Sequence, residues 1–134
     1  MIVTIIGTGY VGLISGVCLA SQGHEIICID TNPKIIEKLN IGIPHIHEKG
    51  LEELLNKVIR KGLFRASLDL NEALDVSEVI IIAVGTPSFN GTINLQYIKN
   101  LLYYKYLYVI TWLDKKKDIS HNYKLNSSII FFLL

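Results

Sequence analysis

Cysteine, proline, methionine and tryptophan are scarce in this 134-residue chain, which holds two, three, one and one of them. Two cysteines, Cys18 and Cys28, are too few for a disulfide framework, and their spacing is not that of zinc ligands. That scarcity suits a reducing, cytoplasmic compartment. No apolar run reaches the ~18 residues that a membrane span needs, and the longest, residues 101–113, is interrupted by Lys105. Nor is there an excess of charge. Thirteen basic and 12 acidic residues leave +1, so nothing in the overall balance calls for nucleic acid or an anionic membrane as partner. Residues 1–6 lack the basic stretch that opens a secretory signal. What the chain has instead is hydrophobic residues, 50% of the total, enough for one folded domain.

A second kind of absence is positional. All ten glycines lie at or before Gly91, the prolines at or before Pro87, and the last alanine is Ala83. Beyond Gln96 stand six of the seven tyrosines and the single tryptophan. Residues 1–96 carry 7 basic and 10 acidic groups, a net of −3, and residues 97–134 carry 6 and 2, a net of +4. A compact α/β domain goes on placing Gly and Pro at its turns. Composition therefore sets a boundary near 97, with residues 1–97 as one portion and 98–134 as another.

The first portion opens with a β-branched apolar run, residues 2–6, which reads as a buried strand. Gly7-Thr8-Gly9-Tyr10-Val11-Gly12 follows, then a helix through about Ser21, a stop at Gly23, and a second strand over residues 25–30. Strand, glycine turn, helix, strand is the context that a dinucleotide fingerprint requires. Gly7 permits the tight turn, Gly9 lets backbone approach a pyrophosphate, and Gly12 lets the helix pack closely. The helix N-terminus then offers free N–H groups to phosphate. Asp30, 18 residues beyond Gly12, ends the second strand, where its carboxylate can accept both hydroxyls of an adenosine ribose. It would repel a 2′-phosphate, which favours NAD over NADP.

Asn32-Pro33 opens a helix through about Leu39, and residues 51–59 form an amphipathic one with Leu51, Leu54, Leu55 and Val58 at core spacing. Residues 63–66 read as a short strand and 71–74 as a short helix. Residues 79–84 are continuously apolar, as in a parallel strand covered on both faces, and Gly85-Thr86-Pro87 ends it at the carboxyl edge where such sheets bind ligands. The fold expected is α/β, an incomplete Rossmann-type, doubly wound parallel sheet with helices on both faces.

The glycine motif, Gly23-His24, Asp30, Glu37-Lys38-Leu39-Asn40, Gly50-Leu51-Glu52-Glu53-Leu54 and Ala83-Val84-Gly85-Thr86-Pro87 resemble the UDP-glucose/GDP-mannose dehydrogenase family in order and spacing. The resemblance runs from Met1 to about Ile98. It implies that Gly7, Gly9, Tyr10, Val11 and Gly12 contact the NAD pyrophosphate, Asp30 the adenosine ribose, and Thr86 the cofactor beyond the fourth strand. The family usually has a basic residue five positions after the ribose acid; this chain has Ile35 there and Lys34 one place earlier, so Lys34 is the basic candidate. Where the family commonly reads Glu-Pro-Gly-Leu, the chain reads Glu48-Lys49-Gly50-Leu51.

Members oxidise the C6 alcohol of a sugar nucleotide such as UDP-glucose to a carboxylate, reducing two NAD, with a thioester on a cysteine in the second step. The Gly- and Phe-rich motif around that cysteine is not found here, nor is the Ser-Thr-Val-Pro turn. Cys18 and Cys28 are expected in the packed interior as inert thiols. The chain thus offers no catalytic residue and is expected to be inactive alone. Family members oligomerise. Two alternatives stay open: a family member of GDP-mannose type, and a stand-alone nucleotide-binding module.

His45 and His47 form a His-x-His pair without a third ligand at suitable spacing, so a surface loop is expected and no metal. His24 reads as a helix-terminus residue and Lys115-Lys116-Lys117 as a solvated segment. Residues 98–134 lack family resemblance; their bias toward residues with A- and T-rich codons suggests a frameshifted or poorly ordered segment. In a sheet ordered 3-2-1-4-5-6, the strand over residues 79–84 needs a neighbour. Residues 106–111 are the candidate, and without a neighbour the open edge predicts poor solubility.

Overall fold

The computed structural model describes residues 1–85 and the short strands Ser88–Phe89, Thr92–Ile93 and Ile130–Phe132. Four parallel strands, β1 (Ile2–Ile6), β2 (Glu25–Ile29), β3 (Phe64–Ser67) and β4 (Val79–Ile82), alternate with helices α1 (Tyr10–Ser21), α2 (Pro33–Asn40), α3 (Leu51–Arg60) and α4 (Leu70–Val76). Ser88–Phe89 (β5) and Thr92–Ile93 (β6) pair as a small antiparallel ribbon, and Ile130–Phe132 is β7. The sheet runs β3-β2-β1-β4-β7, all parallel. Met1–Gly85 with Ser128–Leu134 make one compact unit, and Thr86–Ser127 a second.

Strand alternation explains the two layers. Val3 and Ile5 of β1, Ile26 and Cys28 of β2, Phe64 and Ala66 of β3 join Leu13, Val17, Leu39, Leu55 and Val58 from α1, α2 and α3 in the main core. Each fully buried leucine there contributes about 1.5–3 kcal/mol. The intervening residues Ile27 and Ile29 face the other way and pack with Ala73 of α4. Thr4 also lies on that side and is fully buried. Its hydroxyl is not an orphan: Thr4 Oγ1 bonds Ser77 Oγ, which donates to the Ala73 carbonyl at 2.6 Å. Parallel strands covered on both faces are what their continuous apolar runs require.

Helix ends are set by recognisable devices. Asn32 caps α2 by accepting from Lys34 N at 3.1 Å, with Pro33 at the first helical position. α1 ends with Gly23 N on the Ala20 carbonyl and His24 N on the Leu19 carbonyl, the Schellman pattern, for which Gly23 takes φ +96. The same pattern closes α2 and α3, and α1 and α3 each hand the chain to the next strand after three residues. The outer edge of β3 is blunted by one side chain. Asn40 donates to the Ala66 carbonyl at 2.9 Å and accepts from Ala66 N at 2.8 Å, occupying the groups that a further strand would take.

Two expectations change. Cys18 is exposed, whereas Cys28 is buried as expected. The buried face of α1 is Gly12, Leu13, Gly16, Val17 and Ala20, and Cys18 lies off it. The place beside β4 is taken by β7, with Ile80 opposite Ile130, Ile81 opposite Phe131 and Ile82 opposite Phe132. Residues 106–111, expected there, lie outside the described residues. Among the described residues no helix is long and apolar enough to cross a membrane.

Candidate dinucleotide site

The carboxyl ends of β1 and β2 converge on one turn. Gly7 leaves β1 at φ +99 and its N–H donates to the Ile29 carbonyl at 2.8 Å, tying the turn to the end of β2. A Cβ on Gly7 would stand 2.6 Å from the Ala83 carbonyl oxygen, so side chains are excluded by space as well as by conformation. Gly9 is the N-cap of α1, and no side chain caps that helix end. The N–H groups of the first turn are therefore left without a side-chain partner. Among the described residues, a Cβ on Gly9 would meet nothing within 4 Å. An uncapped helix N-terminus beside open space is a cradle for an anion.

Gly12 and Gly16 do the close packing. A Cβ on Gly12 would collide with the Gly7 carbonyl oxygen and come within 3.3 Å of Ala83 Cβ, so Gly12 lets α1 start directly against its own turn. Contact with the sheet face is made one turn later. A Cβ on Gly16 would lie 3.1 Å from both Cys28 Sγ and Ile5 Cδ1. Gly16 was not singled out by the motif; its signal is the four-residue step from Gly12, which places both on one face of the helix.

Asp30 follows β2. Its Oδ2 accepts from Thr8 N at 3.2 Å and from the Thr8 hydroxyl, and its Oδ1 accepts from Asn32 N at 3.0 Å. Partial burial pushes this carboxyl up, but the Thr8 hydroxyl and the backbone N–H groups of Asn32, Thr8 and Thr31 outweigh it and hold it below its ordinary value. The acid is ionised and fixed beside the glycine turn. Thr8, fully buried, is the second residue the motif reading passed over, and it joins turn and acid across 22 positions of sequence.

Tyr10 and Val11 are 55% and 53% exposed at the start of α1, beside the open space at Gly9. The Tyr10 hydroxyl donates to the His47 carbonyl at 3.0 Å, linking the turn to the loop between α2 and α3. Lys34 is exposed in the first turn of α2. Ile35, at the family's usual basic position, packs against the core instead. Thr86 lies outside the described residues. The structure thus brings Gly7, Gly9, Tyr10, Val11, Gly12 and Asp30 to one sheet edge, with Lys34 four residues after Asp30 in the first turn of α2. Cys28 offers no nucleophile, since burial, with the Asp30 charge adding to it, pushes its thiol up to about 12. Among the described residues, no group of three His, Cys, Asp or Glu side chains is placed to hold a metal.

A search of known proteins agrees with this geometry. The profile of the UDP-glucose/GDP-mannose dehydrogenase family, NAD binding domain, matches residues 1–104. The chain is 44% identical to a UDP-glucose 6-dehydrogenase of Rhizobium meliloti, over 68% of this chain and 21% of that protein. It is 41% identical to a GDP-mannose 6-dehydrogenase of Pseudomonas syringae, over 75% and 23%. The solved GDP-mannose dehydrogenase of Pseudomonas aeruginosa superposes with a TM-score of 0.73 at 39% identity, over 75% of this chain and 23% of that one. The UDP-glucose dehydrogenase of Pyrobaculum islandicum does so at 0.70 and 37%, over 74% and 23%. The chain spans less than a quarter of the length of these relatives. With strand order, glycine turn and the acid after β2 all in place, the chain belongs to the UDP-glucose/GDP-mannose dehydrogenase family, as its NAD-binding N-terminal domain.

Proposed function

We propose that this chain binds NAD at the carboxyl edge of β1 and β2. The pyrophosphate lies against the first turn of α1 at Gly9, Tyr10, Val11 and Gly12, Gly7 shapes the turn, and Asp30 takes the adenosine ribose. The observation that carries this is the uncapped start of α1 beside the open space at Gly9, with an ionised Asp30 tied to the same turn through Thr8. A negatively charged ligand gains there from N–H donors and the helix dipole together. Asp30 accepts ribose hydroxyls and repels a 2′-phosphate, giving preference for NAD over NADP. Lys34 is assigned to the adenosine side, and the family resemblance alone suggests Thr86 as a further cofactor contact.

NAD, when bound, supplies a hydride acceptor. The chain's own residues bind and orient it; among the described residues, no side chain of the site is placed to move a proton or attack carbon. The full activity proposed is that of a UDP-glucose 6-dehydrogenase, UDP-glucose with two NAD giving UDP-glucuronate, in the cytoplasm. A GDP-mannose type is the second reading, supported by the P. aeruginosa structure. We place residues 1–97 in the cofactor portion and 98–134 in a segment of different origin, on the composition break, with the family match running on to residue 104.

Calorimetric titration of the chain with NAD and NADP tests the reading. One NAD per chain is expected, bound about tenfold or more tighter than NADP, with the preference reduced in Asp30→Asn. Absence of NAD binding by the folded chain would overturn it.

A further inference from the structure

The geometry points to Thr8 as the positioning residue that presents Asp30 to the adenosine ribose. The inference rests on the NAD reading above and adds to it a residue that the glycine motif treats as a spacer. Among the described residues, Thr4 and Thr8 are the buried polar side chains. A buried hydroxyl costs desolvation, and a valine of the same shape would not, so its partner decides what it is there for. Thr4 serves packing, bonding Ser77 beneath α4. Thr8 spends its hydroxyl on Asp30 Oδ2, and its N–H reaches the same oxygen at 3.2 Å.

Asp30 needs such a tether. β2 ends at Ile29, so the acid sits one residue past the last sheet pairing, where its side chain is not held by a neighbouring strand. Two donors from Thr8 fix one carboxylate oxygen and Asn32 N fixes the other at 3.0 Å. Thr8 itself cannot drift, because the preceding Gly7 N–H is bonded to the Ile29 carbonyl at 2.8 Å. The outcome is an acceptor with its direction set and its charge maintained before any ligand arrives, so little side-chain freedom is lost on binding. The same bond makes the ribose-side acid and the phosphate-side turn move as one body.

The test is calorimetric NAD titration of wild type, Thr8→Val, Thr8→Ser, Asp30→Asn and the Thr8→Val/Asp30→Asn pair, with circular dichroism to establish folding. Thr8→Val is expected to weaken NAD about tenfold or more, as for loss of a hydrogen bond to a charged group. Thr8→Ser restores binding, and Thr8→Val causes no further loss once Asp30 is Asn. Thr8→Ala repeats the deletion should valine prevent folding. Carbon-13 titration of the Asp30 carboxyl gives a readout without ligand: it moves up toward the ordinary value in Thr8→Val and stays low in Thr8→Ser. Wild-type affinity in folded Thr8→Val, or an equal loss in the Asp30→Asn background, overturns the inference. Failure of wild type to bind NAD would instead remove the cofactor reading, and the carboxyl titration would still report on the Thr8 tether.

Discussion

Alanine placed at Gly9 and at Gly12 should separate binding from folding, although the two glycines stand three residues apart in one motif. At Gly9 the backbone is at φ −64 and ψ −170, which any residue adopts, and the added methyl meets none of the described residues within 4 Å. Alanine is a poorer N-cap than glycine by roughly 0.5–1 kcal/mol, and the reduced freedom of the unfolded chain returns about as much. The net change is within ~0.5 kcal/mol, a Tm shift under about 4 °C for a unit of this size. The methyl nevertheless stands where the proposed site takes the pyrophosphate, and Kd for NAD should rise about tenfold or more.

At Gly12 the methyl collides with the Gly7 carbonyl oxygen, a backbone atom that cannot rotate aside. Overpacking of this kind costs about 1–3 kcal/mol, and alanine's helix propensity returns at most ~1 kcal/mol. The expected loss is about 1–2 kcal/mol and a Tm lower by roughly 4–16 °C. Thermal melts followed by circular dichroism, with calorimetry for NAD, read both quantities. Wild-type NAD affinity in Gly9→Ala would refute the approach of phosphate to that backbone. A wild-type melt in Gly12→Ala would refute the close start of α1.

Three further outcomes follow from the same geometry. Because the Asp30 carboxyl is held low in the folded chain, its contribution to stability is present above the ordinary carboxylate range and lost as pH falls through the folded value. The stability difference between wild type and Asp30→Asn should therefore be flat from pH 7 to about 5 and shrink in more acid buffer; a difference that grows on acidification would contradict it. A thiol reagent at pH 8 should label Cys18 alone in the folded chain and both cysteines after denaturation, with mass spectrometry assigning the site; rapid labelling of Cys28 would show that it is not buried. Removing residues 128–134 takes β7 from β4 and opens a sheet edge, so sedimentation should show concentration-dependent association; a deletion variant as monodisperse as the full chain would show that β7 does not protect the edge.

The first 85 residues were largely legible in sequence because their signals are local. Glycine spacing, apolar runs and the Asn32-Pro33 start place β1, α1, β2, α2 and α3 to within a residue or two of where they stand. The exposure of Cys18 was not legible because α1 is apolar nearly all round, so no stripe marks its buried face. Thr8 with Asp30 and Asn40 with Ala66 were hidden for another reason, since each pair is more than 20 residues apart and is joined only by the folded sheet. The strand beside β4 was expected at residues 106–111 on β-propensity alone. Ile130–Phe132 take the place, inside the continuous apolar run of residues 129–134, a strand signal that was in the sequence and was passed over.

The central claim is a location: NAD on the turn between β1 and α1 and on the acid after β2. Amide chemical shifts recorded during an NAD titration test it most directly. Saturable shifts are expected, concentrated at Gly7 to Gly12 and at Asp30 and absent from the α4 face. Shifts centred elsewhere, or a spectrum that NAD leaves unchanged, would contradict it.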